Sequence, residues 1–336
     1  MATLTGTTST YGVGSAGGNR EDLEDKIWDL FPDDTYIISN IDKVKANATY
    51  HEWLADSLVA AGTNINREGN DGEFSSIVSP ARYGNYTQIF KKEFIVSGTQ
   101  EVVNKAGRRT ETARQLVKQM RELKNDVEYA VVRNQAATAG AATTGRSLGS
   151  IESWIGATAP SATAATQIVL ATVAADGHVT AELASGAPGV APTDAPAGST
   201  GAFTVASLRL ALQGAWEDGG NTDVILASAG VKNAINDFSG IAQRQVDVGR
   251  GAQASITGAA DLYVSNYGTH RIVLHRHARS NVCLCLDTSM WALATLRGFQ
   301  MQKLAKTGDA EKSSLLFEGT LVARNWEANS KVVGIT

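Results

Sequence analysis

The chain has 336 residues, 43% of them apolar and 19% charged, and its 30 Lys+Arg against 34 Asp+Glu leave a formal net charge of -4. That composition excludes a disordered chain and argues against coating nucleic acid by bulk charge; a chain this long buries roughly three quarters of the surface its unfolded form exposes. No apolar run reaches the ~18 residues of a membrane span, and the first residues lack the basic and apolar parts of a secretion signal, so cytosolic maturation without a membrane partner is expected.

Residues 1–19 carry no charge and are mostly Thr, Ser, Gly and Ala, too little apolar surface to offset the entropy of ordering alone. They read as an arm that a partner would order. Charge begins at Arg20, and Leu23, Ile27 and Leu30 share a helical face before Pro32, which predicts a short helix. Between 47 and 98, extended segments at 49–54 and at 86–90 running on to 94–96 flank polar turn residues at 62–64 and 68–72. This predicts a long two-stranded excursion with a flexible tip, which needs something to lie against.

Ala113, Leu116, Val117, Met120, Leu123, Val127, Ala130 and Val131 keep the spacing of one helix face, with Thr112 and Gln115 resembling a capping box. A helix of about 26 residues would run about 39 Å. From 156 to 202 the chain is dominated by Ala, Gly, Ser, Thr and Pro, the composition of a surface insertion. Helices at 203–216 and 231–238 and strands at 223–227, 262–264, 271–274 and 282–286 then predict a compact α/β module, and 314–323 a last strand region.

Few motifs carry chemistry. Gly12-Val13-Gly14-Ser15-Ala16-Gly17 has the letters of a dinucleotide fingerprint, but no apolar strand delivers it. Gly145-Arg146-Ser147-Leu148-Gly149 matches a nucleophile elbow without the strand that must precede the serine. His275, His277, Cys283 and Cys285 are sound zinc ligands by type, yet an even turn between two paired strands would put the cysteines on the face opposite the histidines. The alternative is that both cysteines, expected to be reduced, fill a core. Arg108 and Arg109, with Lys105 nearby, read as a solvated helix start, as one side of an ion pair, or as phosphate contacts. No catalytic set and no cofactor site emerges, so the expectation is a protein that is not an enzyme.

Several strings resemble the major capsid proteins of tailed bacteriophages, in a subgroup formerly described only as a domain of unknown function. They are Arg20-Glu21-Asp22-Leu23-Glu24-Asp25, His51-Glu52-Trp53, Gly84-Asn85-Tyr86-Thr87-Gln88-Ile89, Val96-Ser97-Gly98-Thr99-Gln100 and Lys105-Ala106-Gly107-Arg108. Further on come Glu122-Leu123-Lys124-Asn125-Asp126, Asn134-Gln135-Ala136-Ala137, Gly219-Gly220-Asn221, and the run Leu304-Ala305-Lys306-Thr307-Gly308-Asp309-Ala310-Glu311-Lys312. The likeness covers about 20–155 and 203–328; order and spacing make it specific.

The resemblance implies an α+β fold of the Hong Kong 97 type. Residues 1–46 would be the N-terminal arm and short helix, 47–98 the extended loop, and 99–204 a peripheral domain with a spine helix at 104–138 and the insertion at 156–202. An axial domain would occupy 205–298, and 299–336 would supply closing strands of the peripheral domain. It further implies pentamers and hexamers in an icosahedral shell around double-stranded DNA, touched without sequence readout, with portal, scaffolding and decoration proteins as partners. The shell would be a virion component assembled in the host cytoplasm. Residues implied in contacts between subunits are Trp53, Arg67, Glu68, Phe74, Arg108, Arg109 and Arg121. The competing expectations are an encapsulin-like cellular nanocompartment and a soluble metal- or nucleotide-dependent enzyme.

Overall fold

The computed structural model describes residues 27, 35–56, 58, 61–72, 79–155, 167–169, 201–238 and 261–335. The glycine-rich arm motif, the helix expected at 20–30 (Ile27 apart), Phe74 and most of the 156–202 insertion lie outside them. The described chain opens with α1 (Tyr36–Asn40) and β1 (Asp42–Lys45), then a ribbon of β2 (Tyr50–Ala55) and β3 (Ala81–Tyr86). β4 (Gln88–Ser97), α2 (Gly98–Val102), α3 (Glu111–Val132) and α4 (Ile151–Trp154) follow. Beyond them run β5 (Gln167–Val169), α5 (Val205–Glu217), β6 (Val224–Ala227), α6 (Ala229–Asn236), β7 (Leu262–Ser265), β8 (Gly268–Leu274) and β9 (Val282–Leu286). A long hairpin of β10 (Trp291–Lys303) and β11 (Ala310–Ala323) precedes the final β12 (Ser330–Val333).

The strands make a four-stranded sheet ordered β1-β10-β11-β4, a six-stranded sheet ordered β5-β12-β9-β6-β8-β7, and the separate β2-β3 ribbon. The six-stranded sheet is mixed: β6 pairs parallel with β8 and antiparallel with β9. Strand alternation divides its apolar residues between two cores. Leu226, Val282, Leu284 and Leu286 join α3, α4 and the four-stranded sheet around Trp154, Trp291 and Trp326. Ile225, Ala227, Cys283 and Cys285 point the other way, to the core built with α5 and α6. Burial on both faces is why β9 reads as an unbroken Val-Cys-Leu-Cys-Leu run.

The long helix is shorter than the 104–138 expected. Gly107, with a backbone φ of 71°, interrupts the chain before it, and Arg133 is already extended. The Thr112–Gln115 capping box does not form. Instead Glu101 of α2 reaches across, its Oε2 accepting from the backbone N–H of Glu111 at 3.0 Å and of Thr112 at 3.4 Å. A carboxylate at a helix N-terminus satisfies orphan donors and favours the macrodipole together. α5 does carry a capping box, between Thr204 and Ser207.

Two pairings and one boundary depart from expectation. β2 pairs with β3 over 81–86, whereas 88–97 leaves the ribbon and pairs with β11. The 13-residue β10 starts at Trp291, so the four-stranded sheet begins before position 298. β12 closes the six-stranded sheet between β9 and β5, rather than the sheet that holds β11. The first and third are choices of partner between distant segments, which strand propensity does not encode. Gly220 shows how tight the result is: a Cβ there would stand 2.2 Å from the Ala328 carbonyl oxygen.

Two buried polar clusters tie the elements together. Glu128 of α3 is fully buried; its Oε1 accepts from Ile37 N at 2.7 Å and Oε2 from Ile38 N at 2.9 Å, capping α1 from another helix. His275 Nδ1 accepts the His277 backbone N–H, so Nε2 carries the proton and donates to Glu128 at 2.9 Å. Lys331 is also fully buried and donates to the Glu152 carbonyl at 2.9 Å, while Arg279 pairs with the Glu152 carboxylate at 2.7 Å.

Leu123→Ala in the core should cost about 2–5 kcal/mol in urea unfolding of the unassembled chain, whereas Val117→Ala, on the same stripe, should stay within about 0.5 kcal/mol. Burial, with Arg279 adding and Glu152 opposing, lowers the Lys331 amine from 10.5 to about 8. Between those values the unfolded chain holds a proton the folded chain has released. Stability should therefore rise with pH from about 8 to 10.5, by about 3 kcal/mol, and Lys331→Met should remove that rise.

Candidate inter-subunit contact surface

The apolar stripe of α3 changes character halfway along. Leu123, Val127, Ala130 and Val131 are buried in the core, Leu116 and Met120 sit half-buried at its margin, and Ala113 and Val117 are exposed, Val117 by 55% against 0% for Leu123. Among the described residues, the core covers only the second half of the stripe. At the open end, Glu111 gathers Arg108, Arg114 and Gln115: Arg114 Nη2 donates to Oε1 at 2.9 Å, Gln115 Nε2 to the same oxygen at 2.8 Å, and Arg108 closes on Oε2. The hydrogen bond from Arg114 holds the Glu111 carboxyl down at about 2 against the opposing effect of burial, with Gln115 and Arg108 contributing. Arg108 is thus engaged within the chain, while Arg109 and Arg121 are exposed.

The β2-β3 ribbon is anchored at its root and open at its tip. Gly84 lets the Tyr50 ring cross the ribbon, since a Cβ there would stand 2.6 Å from it. Trp53 lies 5.3 Å from the buried Trp154, and Tyr83 lies 4.7 Å edge-on to Trp326. Trp53, expected to face a neighbour, is therefore half taken up by its own core. Beyond the strands, Leu58 is 99% and Ile65 87% exposed, and every residue from 61 to 72 is exposed, Arg67 and Glu68 included. Arg67 and Glu68 stand in a turn closed by Asn70 N–H donating to the Arg67 carbonyl at 3.2 Å.

The motif candidates do not assemble into chemistry. β6 stands between β8 and β9, the cysteines face the α5–α6 core, and His275 bonds to Glu128 on the other side of the sheet. The four zinc candidates are not gathered, and among the described residues no group of three or more His, Cys, Asp or Glu is placed to hold a metal. Cys283, buried beside Cys285, has its thiol pushed well up by their mutual hydrogen bond and by burial. Ser147 of the elbow-like string pairs with Thr138 across a small loop and donates to the Ala136 carbonyl at 2.8 Å, a setting without a nucleophile's strand and helix. Among the described residues no helix is long and apolar enough to cross a membrane.

What sequence reasoning missed is the root of the ribbon. Asn85, fully buried, donates to the carbonyls of Gly149 and Leu321 and accepts from Gly149 N–H at 2.8 Å. Gln88 Oε1 accepts from Gln135 at 2.6 Å and from Leu148 N–H at 3.2 Å. Polar residues at 85, 87 and 88 in a strand run were the available signal.

Long helix, four-stranded sheet, projecting ribbon and six-stranded module together define a tailed-phage capsid subunit of the Hong Kong 97 type. The capsid of cyanophage A-1(L) superposes with a TM-score of 0.63 at 15% identity, over 95% of this chain and 97% of that one. A Gordonia phage Cozz chain gives 0.58 at 13%, over 99% and 97%. In sequence, the major capsid protein of Escherichia phage Phieco32 is 34% identical over 110 residues, a match spanning 32% of this chain and only 31% of the relative's length. The SU10 major capsid protein family matches residues 3–336, and the chain belongs to that family. These matches favour the coat subunit over the compartment shell and the enzyme.

Glu111 is held ionised by its partners in the folded chain, so its contribution is present above about pH 4.5 and is lost as pH falls toward 2. Unfolding of the unassembled wild type should weaken across that window more steeply than that of Glu111→Gln, compared by thermal melts from pH 5 to pH 2.5.

Proposed function

We propose that this major capsid protein builds pentamers and hexamers of an icosahedral phage head, assembled in the host cytoplasm around double-stranded DNA. The observation that carries this reading is the α3 stripe, half covered among the described residues, on a subunit whose ribbon tip is exposed at 58 and from 61 to 72. Exposed Val117 and Ala113 on one copy and exposed Leu58 and Ile65 on another are complementary apolar surfaces, and their joint burial is favourable by about 25 cal/mol per Å². The ribbon of one subunit would thus lie along the spine helix of the next.

In this reading residues 1–46 act as an arm, 47–98 as the extended loop, 99–204 as the peripheral domain with its insertion, 205–298 as the axial domain and 299–336 as closing strands. Arg67, Glu68, Arg109 and Arg121 are the contact candidates with exposed side chains among the described residues, and Phe74, outside them, is the remaining loop candidate. DNA would meet basic side chains without sequence readout, consistent with a net charge of -4 that leaves no bulk cationic surplus. A portal, a scaffolding protein and a decoration protein complete the partner set, and no catalytic step is assigned.

Replacing residues 61–72 by a short Gly-Ser link should leave a soluble chain with wild-type unfolding but no closed particles by electron microscopy. Normal particles from that variant would overturn the role given to the tip.

A further inference from the structure

Between ribbon and body the chain changes sheets at a single residue. β3 ends at Tyr86, paired with Tyr50, and β4 begins at Gln88, paired with Gly319. Thr87 between them is fully buried, and each of its polar groups is engaged. Its N–H donates to the Thr49 carbonyl at 2.8 Å, its carbonyl accepts from Arg146 Nε at 3.2 Å, and its hydroxyl donates to Glu318 Oε1 at 3.1 Å.

Glu318 is buried as well and collects two guanidinium groups. Arg146 Nη2 donates to Oε1 at 2.7 Å and Arg297 Nε to Oε2 at 2.7 Å. Arg297 sits where the β10–β11 register shifts, so a single carboxylate joins the ribbon root, the loop before α4, and both strands of the long hairpin. Charge-assisted bonds to a buried carboxylate are short and directional, and a network with every member satisfied holds one arrangement. A two-stranded ribbon has little stability of its own, so its direction is decided at the root.

We infer that the Thr87–Arg146–Glu318 clamp sets the angle at which the ribbon leaves the subunit, and through it the curvature of contact with the next copy of this chain. Arg146 and Glu318 are positioning residues acting through Thr87. The second half of the inference rests on the coat-subunit reading.

The test compares full-length wild type, Thr87→Val, which keeps the shape but loses the hydroxyl, and Thr87→Ser, which keeps the hydroxyl. Hydrogen exchange is read at 50–55 and 81–86 in the unassembled chain, and particle diameter by electron microscopy. Thr87→Val should exchange at least about tenfold faster in the ribbon while the core is unchanged, and should give shells of altered or broadened diameter; Thr87→Ser should match wild type. Should Thr87→Val be insoluble, Arg146→Met gives the same readout without touching the ribbon, since Arg297 still neutralises Glu318. Ribbon exchange and diameters equal to wild type in these variants, or an equal effect from Thr87→Ser, overturn the clamp. Wild-type chains that form no shells, with ribbon exchange still responding to Thr87→Val, overturn the coat reading and leave the control of ribbon direction supported.

Discussion

The burial of half an apolar stripe on α3 is the constraint around which the rest of the subunit is arranged. Leu123, Val127, Ala130 and Val131 recruit both the four-stranded sheet and one face of the six-stranded sheet into one core. The opposite face of the six-stranded sheet then needs α5 and α6, and Cys283 and Cys285 become core residues there. The first turns of α3 receive no such cover from the described residues, which is the basis of the proposed contact with a neighbouring copy.

Buried polar groups give this apolar scheme its geometry. Hydrophobic burial is non-directional, whereas Glu128, Glu318 and Asn85 each bond to segments far away in sequence and admit one arrangement. Glu128 fixes α1, and with it the place where the N-terminal segment joins the body. Glu318 and Asn85 do the same for the ribbon. α1 and the ribbon are therefore both held at fixed places on the body, while the ribbon tip is exposed, a division that suits the proposed reach toward a neighbour.

The same logic explains why candidate chemistry failed to assemble. Histidine and cysteine at alternating positions look like ligands on paper, but His275 and His277 follow the end of β8, which β6 separates from β9, and His275 turns to Glu128 while the cysteines face the α5–α6 core. Ser147 and Arg146, in a string shaped like a nucleophile elbow, serve a loop that braces the ribbon root. The family match over residues 3–336 and this architecture agree on a structural role.

Local periodicity was enough to read α3, α5, α6, β6, β8 and β9, because each buries a face whose spacing repeats within a few residues. The ordered strings between Arg20 and Lys312 were enough to recognise the capsid family. Residue chemistry alone did not reveal that 88–97 belongs to the body, that β12 enters the six-stranded sheet, or that Glu101 and not Thr112 serves the start of α3. Those outcomes depend on which distant segments meet, and a strand edge or a helix N-terminus accepts any partner of suitable shape. Only the tertiary structure, by burying some candidates and excluding others, decides among them.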